Sequence, residues 1–251
     1  MSIFPLASSS DSLQAQSRLH GYTHELVSTL TEQQERDVLA RSIEVAKGLT
    51  GKMPKGWTAP AWSTSKRSIK LLEEYGLVCF LGVKLLRQLL TELQEYDHSF
   101  MHHDSQMYFV PDGTEEWRET DTRSSASAST WMTPLSSLKP SKIVEVPANW
   151  HLDDWPPLQP QGGNGYIDPY VIERMWKEQF ESLYRENESF VFPMSIHPQV
   201  SGKPQVILMH ERIIEFIKGH EGVDFCTFEK MVDEFKLGRF AGVSVKGGMD
   251  T

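Results

Sequence analysis

The sequence predicts an α/β fold built on a parallel sheet. Apolar residues recur at helical spacing in several well-capped segments, and short runs of strand character lie between those segments. Polar and acidic groups gather where the strand-like runs end. Helices alternating with strands argue for parallel strands joined by crossover helices. Such sheets present functional groups just beyond the carboxyl ends of their strands.

Residues 1–18 are serine-rich, lack an apolar period and read as irregular. From Thr31 the pattern is helical. Thr31 and Gln34 have capping-box spacing, Leu39, Ile43 and Ala46 share a face, and Gly48 and Gly51 close the run. Residues 52–64, with Pro54, Gly56, Trp57, Pro60 and Trp62, read as a loop, and a second helix is expected over 65–75, ending at Gly76. Residues 97–140 look loop-rich. A strand is expected at 143–146, followed by an aromatic and acidic stretch at 147–157. Asp168 and Pro169 make a strong helix start, an N-cap followed by proline at the first helical position. Trp176, Phe180 and Tyr184 on that helix read as a core stripe. Residues 190–196 read as a strand closing at His197, 204–218 as a helix stopped by Gly219, and 223–227 as a strand before a last short helix.

At 251 residues, with 39% hydrophobic and 24% charged residues, the chain fits one globular domain. A net charge of −9 argues against nucleic acid or an anionic membrane surface as partner. Two cysteines, Cys79 and Cys226, with no C-x-x-C pair, suit a reducing compartment or at most one bridge and argue against a cysteine zinc site. The first ten residues lack the basic region and apolar core of a secretory signal, and the apolar stretch 77–90 carries Lys84 and Arg87. A cytoplasmic protein is therefore expected.

The candidate chemistry lies in histidines and acids. His20 and His24, at i and i+4, can meet one metal ion if their segment is helical or tightly turned. His197 at a strand end is placed to move a proton, and Asp153 and Asp154, flanked by Trp150 and Trp155, suit a cleft wall. Asp104 and His103 suit either a substrate contact or a loop cap. A hydrolytic zinc site generally takes three protein ligands and a water, and the third ligand is not apparent. His210 and His220 read as structural, and Cys226 as core.

Five segments occur in an order that resembles a known family. They are 20–25 with His20, His24 and Glu25; 56–60 with Trp57 and Thr58; 96–104 from Tyr96 to Asp104; 149–157 with Asp153, Asp154 and Trp155; and 192–198 with His197, followed by 201–204. Together they resemble the polysaccharide deacetylase (NodB-homology) family, in its intracellular allantoinase-like and peptidoglycan-deacetylase-like branch, especially fungal members. The resemblance implies a distorted (β/α) barrel of the glycoside hydrolase/deacetylase type over 19–240, with 241–251 as a tail. It implies a divalent metal, zinc in most members, held by an Asp-His-His triad whose histidines would be His20 and His24. A second aspartate would act as base and His197 as acid. Trp57, Asp104, Asp153, Asp154 and Trp155 would meet the substrate.

The implied reaction is hydrolysis of a non-peptide carbon–nitrogen bond in an acetamido sugar, with a small amide such as allantoin as rival substrate. Partners would be that substrate and a second copy of the chain. Departures from the pattern matter equally. The family's aspartate pair lies on a strand upstream of the histidine pair and has no counterpart here. A barrel missing its first strand, with an incomplete metal site and impaired activity, is accordingly a third reading. Thr58 stands where many relatives have arginine. Residues 78–94 have no counterpart in the family and read as an insertion or a translated intron.

Overall fold

The computed structural model describes residues 18–78, 95–112, 123, 125–132, 137–160 and 167–239. The readings of residues 1–17, 79–94 and 241–251 lie outside these. In chain order the elements are β1 (Arg18–Leu19), α1 (Glu32–Thr50), β2 (Gly56–Trp57), α2 (Ser68–Val78), β3 (Tyr96–Asp97), β4 (Tyr108–Pro111) and β5 (Pro140–Glu145). There follow α3 (Trp155–Leu158), α4 (Pro169–Glu186), α5 (Pro198–Ser201), α6 (Pro204–Lys218) and α7 (Phe228–Lys236). The sheet has the order β1-β2-β3-β5-β4; its first three pairings are parallel, and β4 runs antiparallel to β5.

The parallel strands are aligned in register, and the alternation of side chains separates two cores. Leu19, Trp57 and Ile143 pack with Leu39 and Ile43 of α1 and Leu71 and Leu72 of α2. Tyr96 and Val144 pack with Val146, Val191, Val232 and Phe235. Gly56 lies between Arg18 and Tyr96 in the register, and a Cβ there would lie 2.1 Å from the Tyr96 ring, so glycine is required. A third core joins α4 to α6. Ile172, Trp176 and Phe180 meet Val206, Met209, Ile213 and Ile217, closed off by Leu152 and Met194. Each large apolar side chain buried in this way contributes about 1.5–3 kcal/mol.

The long helices α1, α4 and α6 match the sequence reading closely, whereas α2 starts later than expected and runs through Gly76 to Val78. α1 has its capping box, with Gln34 N donating to Thr31 Oγ1 and Thr31 N to the Gln34 side chain, and it ends on Gly51 at φ 70°. Asp168 caps α4 through the Tyr170 amide.

The strands need correction. Residues 52–64 contain β2, and the loop-rich region 97–140 contains the end of β3, all of β4 and the start of β5. Residues 190–196 and 223–227 form no ladder, apart from an isolated parallel bridge between Asp153 and Ser195. Their apolar residues Phe190, Phe192, Met194 and Val223 pack onto the α4–α6 core, which accounts for the strand-like pattern. Tyr184 leaves the core stripe: it is 39% exposed and its hydroxyl donates to the Glu221 carbonyl. Among the described residues the sheet is mixed and does not close into a barrel. No described helix is long and apolar enough to cross a membrane.

Candidate active site

The histidine pair sits in a tight turn at the end of β1, not on a helix. Gly21 at φ 68° and His24 at φ 68° both adopt left-handed backbone. The Glu25 carboxylate holds the turn by accepting from the Tyr22 amide and from the amide and hydroxyl of Thr23. A Cβ on Gly21 would lie 2.8 Å from Glu25 Oε2 and 3.0 Å from Pro60 Cγ. The turn therefore needs glycine on both steric and conformational grounds.

The result is a pair of imidazoles with ring centroids 5.0 Å apart, edge to face. His20 Nδ1 lies 2.8 Å from the Thr58 carbonyl, to which it can only donate, so the lone pair of the neutral ring is on Nε2. Burial pushes the His20 pKa down to about 4 and keeps the ring neutral. A neutral histidine with its other nitrogen oriented by a carbonyl has the chemistry of a metal ligand. The pair fits a divalent cation as two of its donors. Among the described residues, no acid or thiol joins the two histidines in a three-donor cluster.

A second group forms where β5 runs on into the Asn149 turn. Asn149 accepts from the His151 amide, and the next residues carry Asp153 and Asp154 to the segment before His197. Asp154 N donates to Ser195 O, and Ser195 N donates to Leu152 O. Asp154 is fully buried. Its Oδ1 accepts from His197 N at 2.9 Å and from Nδ1 at 2.8 Å. Its Oδ2 accepts from the same amide at 3.1 Å and from the Ser201 hydroxyl. Asp153 Oδ1 lies 3.3 Å from His197 Nδ1 and accepts from the Trp155 amide.

Asp153 and Asp154 together raise the His197 pKa to about 9 against the opposing effect of burial. His197 is thus an imidazolium at neutral pH, with its side chain 34% exposed and the Trp155 ring 5.3 Å away. Donor atoms of Asp153, Asp154 and His197 come within 4.8 Å of one another, a spacing that would also suit a cation. Without a cation, the two carboxylates favour the protonated ring, a form that can donate a proton from Nε2.

The structure brings together Asp153, Asp154, Trp155 and His197 as the sequence suggested, and pairs His20 with His24. It places Trp57 elsewhere. Trp57, expected to meet the substrate, is 3% exposed in the core under α1 and α2. The alternation along β2 turns it toward the helices. Asp104 is exposed, and neighbouring His103 caps its loop by accepting from the amides of Ser105 and Gln106. Two residues outside the expected set adjoin this group: Ser201 Oγ contacts Asp154 Oδ2 and lies 2.8 Å from His210 Nε2, on a histidine set in the apolar stripe of Val206, Met209, Ile213 and Ile217.

A sequence profile of the family described as polysaccharide deacetylase matches residues 14–80, which include the histidine turn. A peptidoglycan deacetylase of Helicobacter pylori is 42% identical over 220 residues, covering 86% of this chain and 68% of the relative. The chain belongs to the polysaccharide deacetylase family. A peptidoglycan deacetylase-like protein of Gibberella zeae is 34% identical over 235 residues, covering 89% of this chain and 63% of the relative. The crystal structure of Puue allantoinase superposes with a TM-score of 0.62 at 20% identity, covering 87% of this chain and 58% of that one, a likeness of fold. The chain spans about two thirds of the length of these curated deacetylase relatives. Within this hydrolase family, the histidine turn and the Asp–His group are the two places where its side chains concentrate chemistry.

Proposed function

We propose that this chain hydrolyses the carbon–nitrogen bond of an acetamido group on a sugar, with His197 as the proton donor. The observation that carries the reading is the partly exposed His197 ring, held through Nδ1 by Asp153 and Asp154 beside Trp155. Asp154 fixes the Nδ1 proton, which leaves the Nε2 proton as the transferable one. As the carbon–nitrogen bond breaks, the bonding electrons go to nitrogen, and His197 Nε2–H supplies the proton that lets the amine leave neutral. The neutral ring then regains a proton from solvent. Trp155 offers an apolar wall against which a sugar ring or acetyl methyl can rest.

His20 and His24 would hold a divalent ion, zinc by the preference of imidazole donors. When bound, such an ion polarises the carbonyl and makes its water a nucleophile. The protein's own part is to keep His20 neutral with Nε2 directed away from Thr58 and to keep His24 beside it. The resemblance to peptidoglycan deacetylases favours an acetylated amino sugar over a small cyclic amide.

The test is acetate release from N-acetylglucosamine oligomers and peptidoglycan fragments, run beside ring opening of allantoin, with zinc supplied. Acetate release that His197→Ala abolishes supports the reading. Allantoin turnover alone would replace the substrate class, and equal rates for wild type and His197→Ala would overturn the role of His197. Zinc content should fall in the His20→Ala and His24→Ala proteins.

A further inference from the structure

We propose that Ser201 and His210 are positioning residues for this acid, forming a one-directional hydrogen-bond relay that ends on Asp154. The inference rests on the proposed function for the role of His197 and adds what holds it in place. Ser201 Oγ contacts Asp154 Oδ2 on one side and lies 2.8 Å from His210 Nε2 on the other. A hydroxyl has one proton and an ionised carboxylate has none, so Ser201 must donate to Asp154. His210 Nε2 must then donate to Ser201. That assignment leaves His210 Nδ1 bare, and Nδ1 is indeed a buried atom without a hydrogen-bond partner. One tautomer satisfies the whole chain: His210 Nε2–H to Ser201, Ser201 O–H to Asp154, and His197 Nδ1–H to the opposite oxygen of Asp154.

The local fold explains how these groups meet. His197 is the N-cap of α5, and the Ser201 amide donates to the His197 carbonyl, so Ser201 stands one turn beyond His197. His210 is 8% exposed on the inner face of α6, with Trp176 at 5.7 Å. Asp154 has no solvent exposure, and a buried carboxylate needs donors on both oxygens. Ser201 is the side-chain donor to Oδ2, while His197 occupies Oδ1. Loss of the Ser201 hydroxyl would free the carboxylate to rotate and would loosen the Nδ1 contact. The charged groups in contact with His197 are Asp153 and Asp154, and His210 faces it only through Ser201. Burial lowers the His210 pKa and keeps the ring neutral, consistent with an unpaired Nδ1.

The experiment is nitrogen NMR of the full chain labelled at histidine, titrated without substrate or metal. It reads the relay whether or not the protein releases acetate, so the relay and the proposed function can fail separately. Neutral His210 is expected wholly as the Nε2–H tautomer. Ser201→Ala should erase that bias and lower the His197 midpoint by about half a unit or more, the effect of losing one modest hydrogen bond. Ser201→Thr, which keeps the hydroxyl, should restore both. An Nδ1–H tautomer at His210 in the wild type overturns the proposal outright. So does a folded Ser201→Ala protein with an unchanged His197 midpoint. If Ser201→Ala does not fold, the wild-type tautomer and the His197 midpoint in His210→Gln decide the matter by the same criteria.

Discussion

His20 and His197 are shifted in opposite directions, and each shift follows from what the ring touches. His20 meets a carbonyl in a buried turn and is pushed down to about 4, whereas His197 meets two carboxylates and is raised to about 9. A histidine whose folded pKa is raised contributes stability that is complete below its unfolded value of about 6.5 and is lost as pH rises through the folded value. The protonated form needed for donation follows the same course. The rate of the acid-dependent step should therefore hold through neutrality and fall along a limb near pH 9. Asp153→Asn should move that limb toward the ordinary imidazole range, and His197→Ala should lower kcat by about 10²–10⁴. Steady-state pH profiles check both outcomes. A second residue pair behaves differently. Asp97 and Glu145, paired across β3 and β5, are fully buried, and burial raises both, Asp97 to about 6. Glu145 Oε1 accepts from the Ser99 and Phe100 amides, so the pair can share a proton only between its remaining oxygens. With raised folded values, its contribution is complete below about pH 4 and declines as pH climbs. Glu145→Gln should remove this loss, and its advantage over wild type should grow between pH 5 and 8 by up to about 1.4 kcal/mol per pH unit. Urea unfolding at several pH values measures it.

Among the elements, legibility followed length. α1, α4 and α6 have 19, 18 and 15 residues, so their apolar period repeats several times, and α1 and α4 also open on side-chain caps. The capping box should be worth about 1 kcal/mol, the loss expected in thermal or urea unfolding of Thr31→Ala. β1, β2 and β3 have two residues each, too few for an alternating pattern to appear. They exist because neighbouring strands hold them in register, information that no local window contains. β2 shows this most sharply. Gly56 looks like a loop glycine in sequence, yet it is the gap into which the Tyr96 ring packs. Gly56→Ala should cost about 3 kcal/mol or more, an overpacked core with little room to relax, and calorimetry on the purified variant would show it. Conversely, residues 190–196 have a strand's pattern and no ladder, because an apolar residue at alternate positions also suits a segment lying across two helices.

At the scale of the molecule, the Asp–His group was legible as composition but not as geometry. Asp154 and His197 are 43 residues apart, and their meeting depends on the bridge between Asp153 and Ser195. The same long-range assembly buries another histidine. His98 follows β3, donates from Nδ1 to the Val146 carbonyl beyond β5 at 2.6 Å, and has Trp62 and Phe228 edge-on at 6.1 and 5.1 Å. It therefore joins the sheet to the start of α7. Burial pushes its pKa down to about 3. A depressed folded value means that the unfolded chain takes up the proton first, so stability is complete above about 6.5 and is lost as pH falls toward 3. The slope for one such proton reaches about 1.4 kcal/mol per pH unit. The Asp97–Glu145 pair acts with the opposite sign over part of this range, so the measurement belongs in the Glu145→Gln background. There, the urea midpoint should fall between pH 7 and 4.5. Adding His98→Gln, whose amide can still donate to Val146, should flatten that fall while lowering stability at neutral pH. An equally steep acid fall in the double variant would show that His98 is not the group that takes up the proton.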